Sequence, residues 1–289
     1  MKTGDVHYSG FMRVLETFEN EGVDYPLLET LRLFDLVSEG SLSFADSGIP
    51  GGEMDPAVIA MRRKEGVPLE YIIGEAVFMK RRFYCTPETL IPREETSLLV
   101  GVAVDLINDR DGGGSAPTVI EIGTGCGNIA VSVAMSCENA KVLASDVSEG
   151  AVEVANRNVD RYDLGERVKL FAGDLFAPFE DLGCEGKVDL VVCNPPYIPS
   201  GSLSRLAPEI FDHEPKVALD AGPYGIDFFR RLIEGAGPML APGGKLAFEI
   251  GEKQEKLVTR VLEKNGGFED FGFFTDGNVT RVVSATKRI

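Results

Sequence analysis

The chain has 289 residues and a formal net charge of −17, with 44 % hydrophobic and 26 % charged residues. That length suits one large α/β domain plus a small second one, and the acidic excess argues against direct grip on nucleic acid, which needs a basic face for phosphates. No apolar run approaches the ~18 residues of a membrane span, and the residues after Met1 lack the apolar core of a signal peptide, so a cytoplasmic chain with no membrane partner is expected.

Residues from about 8 to 74 read as short helices, with Leu27, Leu28, Leu31, Phe34 and Val37 at helical spacing. Asp55-Pro56 has the form of an N-cap followed by a first-turn proline, and Gly66 can end that helix. Gly48 to Gly52 marks a loop between helices. Ala76-Val77-Phe78 and Arg82-Phe83-Tyr84-Cys85 flank a short basic turn and predict a hairpin; Lys80-Arg81-Arg82 is expected to be a solvated tip. A helix follows through Leu98, Leu99, Val102, Ala103 and Leu106, then a flexible loop at Asp111 to Ser115.

From residue 117 short apolar strands alternate with amphipathic helices. Strands are expected at Thr118–Ile122, Val142–Ser145, Val168–Phe171, Leu190–Cys193 and Leu246–Ile250, and helices at about 128–137, 149–160 and 225–240. The alternation predicts a doubly wound parallel sheet. Phe271–Phe274 and Arg281–Ala285, separated by Asp276-Gly277-Asn278, predict a terminal antiparallel pair. The chain divides into a helical domain over 1–75 and an α/β domain over 76–289, joined by the hairpin link at about 76–92. Its cysteines, Cys85, Cys126, Cys137, Cys184 and Cys193, are odd in number and form no CxxC pair, so buried reduced thiols are expected and no metal site.

Val119 to Asn128 runs from an apolar strand through a glycine loop into a helix. The spacing is GxGxG (Gly123, Gly125, Gly127), where a dinucleotide site would show GxGxxG. The second strand ends at Asp146, 23 residues after Gly123, where a carboxylate can accept both hydroxyls of a ribose. Asp174 ends the third strand and can accept from an adenine amino group. A ligand with ribose and adenine but no phosphate suits these acids, and S-adenosylmethionine is such a ligand, its sulfonium charge favouring nearby carboxylates. Asn194-Pro195-Pro196-Tyr197 follows the fourth strand. Its prolines lack N–H donors, Asn194 adds a side-chain carbonyl, and Tyr197 an aromatic face. Such groups fit a planar NH2 group: acceptors hold its protons and stabilise the positive charge that develops as a methyl group arrives. Asn194, Pro195 and Tyr197 are therefore the catalytic candidates.

Taken together, these motifs resemble the HemK/PrmC family of protein-(glutamine-N5) methyltransferases, which act on peptide chain release factors. The resemblance covers roughly residues 68–289: Pro68 to Gly74, Thr89 to Arg93, Glu121 to Gly127, Asn194 to Tyr197, Glu214-Pro215 with Ala218-Leu219, and Glu249-Ile250-Gly251. It implies a Rossmann-like, seven-stranded S-adenosylmethionine-dependent methyltransferase domain behind a small helical N-terminal domain that helps choose a protein substrate. It implies methyl transfer to the glutamine of a Gly-Gly-Gln motif. The cofactor site would comprise Glu121, Gly123, Thr124, Gly125, Cys126, Gly127, Asp146, Asp174, Leu175 and Asn194. The glutamine would lie against Asn194, Pro195, Pro196 and Tyr197, and a monomer is expected.

The sequence departs from the family pattern in places. Leu175 stands where some relatives carry Trp. Pro92-Arg93-Glu94-Glu95-Thr96-Ser97 lacks the second proline and last acid of Pro-Arg-Pro-x-Thr-Glu, and residues up to about 67 match only loosely. A sister group that methylates ribosomal protein L3 shares the tetrapeptide, as in similar form do DNA adenine-N6 methyltransferases, which must flip their base into the site. A cofactor-binding scaffold without activity is the non-enzymatic alternative. Arg93 is a candidate contact to the cofactor carboxylate or to the substrate entrance; His213 and His7 are expected to have no catalytic role.

Overall fold

The computed structural model describes residues 3–38, 55–110 and 116–289. The expected loops at Gly48 to Gly52 and Asp111 to Ser115 lie outside the described residues, as does the side chain of Val37.

Four helices come first: α1 (Thr3–Glu21), α2 (Pro26–Ser38), α3 (Pro56–Lys64) and α4 (Leu69–Ile73). Asp55 caps α3 through a 2.9 Å bond from the Ala57 amide, with Pro56 at the first helical position. The leucine stripe of α2 is not the face this helix buries. Leu27, Leu28 and Leu31 are about half exposed (53 %, 55 % and 51 %), whereas Glu29, Thr30, Leu33 and Leu36 are buried. The inward face is organised around Glu29, whose carboxylate receives Arg63 Nε of α3 at 2.6 Å and Arg32 at 2.9 Å. A paired charge can be buried, so the spacing of apolar residues marks this helix without marking its inward face.

A hairpin follows, β1 (Glu75–Phe78) with β2 (Arg81–Tyr84). Its tip differs from the solvated one expected. Lys80 is exposed, but Arg82 turns inward to Glu75 at 3.0 Å and to the Leu36 carbonyl. Arg161 binds the other oxygen of Glu75 at 2.6 Å, so one buried carboxylate holds two guanidinium groups.

The remainder is a seven-stranded sheet in the order β5-β4-β3-β6-β7-β9-β8. The strands are β3 (Thr118–Ile122), β4 (Lys141–Asp146), β5 (Val168–Ala172), β6 (Val188–Cys193), β7 (Leu240–Glu249), β8 (Phe268–Asp276) and β9 (Val279–Lys287). The β3–β4, β4–β5, β3–β6 and β6–β7 pairs are parallel, and β9 runs antiparallel to both neighbours. Period-two alternation sends successive residues to opposite faces. Val119, Leu190 and Val192 pack under α5 (Thr96–Asn108), α6 (Asn128–Ser136) and α7 (Glu149–Arg161). Ile120, Val191 and Cys193 face the opposite way, toward the Phe229 and Leu232 side of the core. These last belong to α9 (Asp227–Met239), which follows the short α8 (Pro208–His213). All five cysteines are buried thiols.

Two elements are longer or later than the sequence pattern indicates. β7 begins six residues before Leu246, at Leu240, because Pro242, Gly243 and Gly244 form a bulge against β6. A Cβ on Gly244 would lie 2.9 Å from the Val188 carbonyl, so only glycine fits there. Helix α10 (Glu255–Asn265) has no counterpart among the expected elements. Its buried face is only Val258 and Leu262, too thin a stripe to register as a period.

The parallel strands bring Gly123, Asp146, Gly173 and Asn194 to one edge of the sheet, at their carboxyl ends. The chain reverses direction across the sheet between β3 and β6, and open α/β sheets bind ligands in the crevice at such a switch point.

Candidate active site

A cleft of about 440 Å³ opens at that edge. On one side the chain turns sharply after β3. The amides of Gly123 and Thr124 both donate to the Ser145 carbonyl, at 2.8 and 3.0 Å. Gly123 and Gly125 hold φ of 72° and 54°, and a Cβ on either would meet open space, so glycine here serves the turn and leaves the cleft wall bare. Gly127 has another task. Its φ is 81°, and a Cβ there would sit 3.2 Å from that of Ala155 on α7. It lets α6 start close against α7 and does not line the cleft.

Glu121 also stays off the cleft wall. It is fully buried beneath the loop, where its Oε2 accepts a 2.8 Å bond from the Thr124 hydroxyl. Desolvation pushes its carboxyl up to about 8, only partly offset by the Thr124 hydroxyl and the Ala130 amide. Glu121 therefore braces the loop from below. Thr124, Gly125 and Cys126 do line the cleft. Asn158 of α7 ties this region together: it exchanges two bonds with the Tyr84 backbone, at 2.7 and 3.0 Å, and donates to the Cys126 carbonyl at 2.8 Å. Nothing in the sequence pattern singles it out.

Asp146 lines the cleft at the end of β4. One oxygen accepts the Gly125 amide at 2.8 Å and the other the Ser148 amide at 3.0 Å. Each oxygen keeps a lone pair for a further donor, as a ribose diol requires. Burial raises its pKa, and the Ser148 and Gly125 amides act against that. Asp174 and Leu175 line the next stretch. Asp174 is exposed and paired with Arg231 of α9 at 2.5 Å, while Leu175 has φ of 50° and its carbonyl accepts from Ser145 Oγ at 2.7 Å. Phe228, one helical turn before Arg231, supplies an aromatic surface to the same wall; neither was expected from the sequence.

The tetrapeptide is divided. Asn194 and Pro196 line the cleft, whereas the Pro195 ring is buried and the Tyr197 ring is partly buried away from its wall. Tyr197 packs into the core on the α9 side, and its carbonyl accepts from Gln254 at 2.9 Å. Asn194 Nδ2 donates to Thr96 Oγ1 at 3.2 Å, and Thr96 in turn donates to Glu249 Oε2 at 2.8 Å. Glu249 is the last residue of β7 and is buried. With its NH2 group held by Thr96, Asn194 presents its carbonyl to the cleft. Arg93 lines the cleft with its guanidinium bound to Glu214 at 2.5 Å. Glu214 is buried, and desolvation raises its pKa against the lowering effect of Arg93. His213 lies away from the cleft, against the Glu65 carbonyl at 3.3 Å.

This donor set fits an adenosyl sulfonium ligand. Among the described residues the only cations in the lining, Arg93 and Arg231, are both paired with carboxylates, so neither is free for phosphate. Asp146 and the bare glycine turn are available to a sugar and a backbone-hugging chain.

Residues 113–223 match the Methyltransferase small domain family. A release factor glutamine methyltransferase of Geobacter sulfurreducens is 38 % identical over 78 % of this chain and 75 % of its own length. Another, of Moorella thermoacetica, is 39 % identical over 72 % of this chain and 71 % of its own length. A methyltransferase from Pyrococcus furiosus shares the fold, with a TM-score of 0.52 at 22 % identity, over 79 % of this chain and 99 % of that one. Strand order, cleft and relatives agree, and the chain belongs to the release factor glutamine methyltransferase family.

Proposed function

We propose that this protein transfers a methyl group from S-adenosylmethionine to the side-chain amide nitrogen of a glutamine, the one in the Gly-Gly-Gln motif of a peptide chain release factor. The observation that carries the reading is the sense of the Asn194 carboxamide: its nitrogen donates to Thr96, so its oxygen is the group offered to an incoming N–H. The release factor glutamine methyltransferases that the chain resembles supply the substrate class.

S-adenosylmethionine, when bound, supplies an electrophilic methyl group on a sulfonium. The glycine turn at Gly123 to Cys126 would hold its amino-acid end, Asp146 its ribose, and Asp174 with Leu175 and Phe228 its adenine. An amide nitrogen is a poor nucleophile because its lone pair is delocalised. Asn194 Oδ1 accepts one amide N–H, and the carbonyl of Pro195 accepts the second. Two such acceptors would orient the nitrogen toward the methyl group and oppose the positive charge that grows on it; as the N–CH3 bond forms the S–CH3 bond breaks, S-adenosylhomocysteine leaves, and the amide gives up one proton to solvent. Tyr197 shapes the turn from behind. The helices up to Ile73 take part in choosing the protein substrate.

Transfer of tritium from methyl-labelled cofactor to a release factor tests the reading. Label that vanishes when the Gly-Gly-Gln glutamine is replaced supports it. Label on ribosomal protein L3 alone keeps the chemistry and changes the substrate; label on duplex DNA, or on none of these, overturns it.

A further inference from the structure

We infer that Glu249 is a positioning residue for methyl transfer: its carboxylate, acting through the Thr96 hydroxyl, sets which end of the Asn194 carboxamide faces the acceptor nitrogen. The inference rests on the proposed amide chemistry, and it adds a residue that touches neither ligand.

Hydrogen-bond polarity sets the orientation of Asn194. A threonine hydroxyl has a single proton to give. With Glu249 ionised, that proton is committed to Glu249 Oε2 at 2.8 Å, and Thr96 Oγ1 can only accept from Asn194, as it does at 3.2 Å. Asn194 must then offer its oxygen to the cleft. Protonated Glu249 can itself donate to Thr96, which frees the Thr96 proton for the Asn194 oxygen. The carboxamide then turns over and meets the substrate NH2 with its own NH2, donor against donor. One proton on a buried carboxyl thus separates a productive acceptor from a repulsive one.

The backbone sets up this relay. β6 and β7 are parallel, with Cys193 opposite Phe248, so Asn194 and Glu249 emerge side by side where these strands end. Thr96 reaches them from the first residue of α5. The charged groups facing Glu249 are Arg281 on β9, and Arg93 and Glu95 just before α5; Tyr197, after β6, feels its charge in turn. Arg281 and Arg93 favour the carboxylate and Glu95 disfavours it, but burial dominates and lifts the Glu249 carboxyl to about 7. Arg281 Nε makes no hydrogen bond among the described residues, so it acts through its charge. The productive polarity therefore prevails above that pH and is lost as pH falls through it.

The test is the pH profile of kcat for methylation of the release factor, with cofactor KM measured alongside. Wild type should lose about tenfold in kcat per pH unit on the acid side, as expected for one essential ionised group. Glu249→Gln should flatten that limb and lower kcat at pH 8 by about tenfold, with cofactor KM within about twofold. Thr96→Val should flatten it too, and Thr96→Ser should keep it. Glu121 titrates in the same range, so Glu121→Gln should also keep the limb. An unaltered acidic limb in a folded Glu249→Gln or Thr96→Val protein overturns the inference. A second readout needs no substrate. In asparagine-labelled protein, the Asn194 side-chain NH2 resonances should shift with pH near 7 in wild type and stand still in Glu249→Gln. Should wild type methylate no release factor, the proposed function fails on its own; a pH-independent Asn194 signal in wild type sinks the relay whatever the substrate.

Discussion

On the proposed cofactor side of the cleft, the glycine turn is held by bonds from Gly123 and Thr124 to Ser145 and from Gly125 to Asp146, all between the adjacent strand ends of β3 and β4. On the acceptor side, Asn194 is held by Thr96, 98 positions away in sequence, and Thr96 by Glu249, 153 positions away. One half is backbone folded around a few glycines. The other is a side-chain relay assembled from three distant segments. The first tolerates change in side chains that point elsewhere; the second depends on every link. Local chain chemistry writes the first half into a short motif, whereas the second exists only after the sheet has formed.

Asn194→Ala separates the two sides of the cleft most strongly. It removes the acceptor but leaves the glycine turn intact. Loss of about 10²- to 10³-fold in kcat is expected, the range seen when a single preorganised transition-state group is removed. Affinity for S-adenosylhomocysteine, read by calorimetry, should change little, because Asn194 is one of many lining groups. Equal loss of both would mean that the two halves are not separable.

Asp146→Asn makes the reciprocal cut. It keeps an oxygen for one backbone amide but replaces the second acceptor by a donor, which opposes the backbone N–H it now faces. Cofactor affinity should fall about 10- to 100-fold, in line with about 1.5–3 kcal/mol for a hydrogen bond to a charged group. Turnover at saturating cofactor should fall far less than in Asn194→Ala. A variant with normal affinity and poor turnover would reverse the assignment of the two sides.

Legibility in the sequence follows the same division. The strands β3 to β6, the glycine loop and the acids at strand ends could be read, because each rests on local periodicity or on a turn that only certain residues permit. The tetrapeptide could be found too, but not its disposition: Tyr197 reads as an aromatic face for the substrate, and the fold packs its partly buried ring against the core on the α9 side. Thr96 and Glu249 sit within recognisable motifs, and only tertiary contact gives them a task. Asn158, Phe228 and Arg231 carry no local signature at all. The family resemblance puts Glu121 among the cofactor contacts, whereas the fold buries it beneath the glycine loop, off the cleft wall. The bulge at Gly243-Gly244 hid half of β7, since a run of proline and glycine reads as a loop unless its partner strand is known.

Beneath the cofactor side, Glu121 gives a stability signature. Its carboxyl is raised to about 8 in the fold, against an ordinary unfolded value near 4.3. Between those values the folded state binds the proton and the unfolded state does not. The stabilisation is therefore complete below the unfolded pKa and is lost as pH rises through the folded one, at no more than about 1.4 kcal/mol per pH unit for one proton. Urea unfolding from pH 5 to 8 should show stability declining, and Glu121→Gln should flatten the decline. Glu249, raised to about 7, contributes in the same direction, so part of the slope should survive that substitution.

The smallest expected effect concerns the leucines of α2. Leu27, Leu28 and Leu31 form the apolar pattern from which the helix is read, but they face outward, and the buried face centres on Glu29 with Arg63 and Arg32. Leu28→Gln should alter unfolding free energy by no more than about 0.5 kcal/mol, as for other exposed positions, because glutamine propagates a helix about as well as leucine and no buried contact is lost. Glu29→Leu, which looks like an improvement on the sequence pattern, should destabilise by about 3–5 kcal/mol, because Arg63 would be left with 10 % exposure and only its partner Glu209 and the Val67 carbonyl. Thermal melts of the two variants side by side decide which face of α2 holds the helices together. If Leu28→Gln were the damaging change, the helix would have to be rotated about its axis, and the Arg63 pair would lose its place at the centre of that packing.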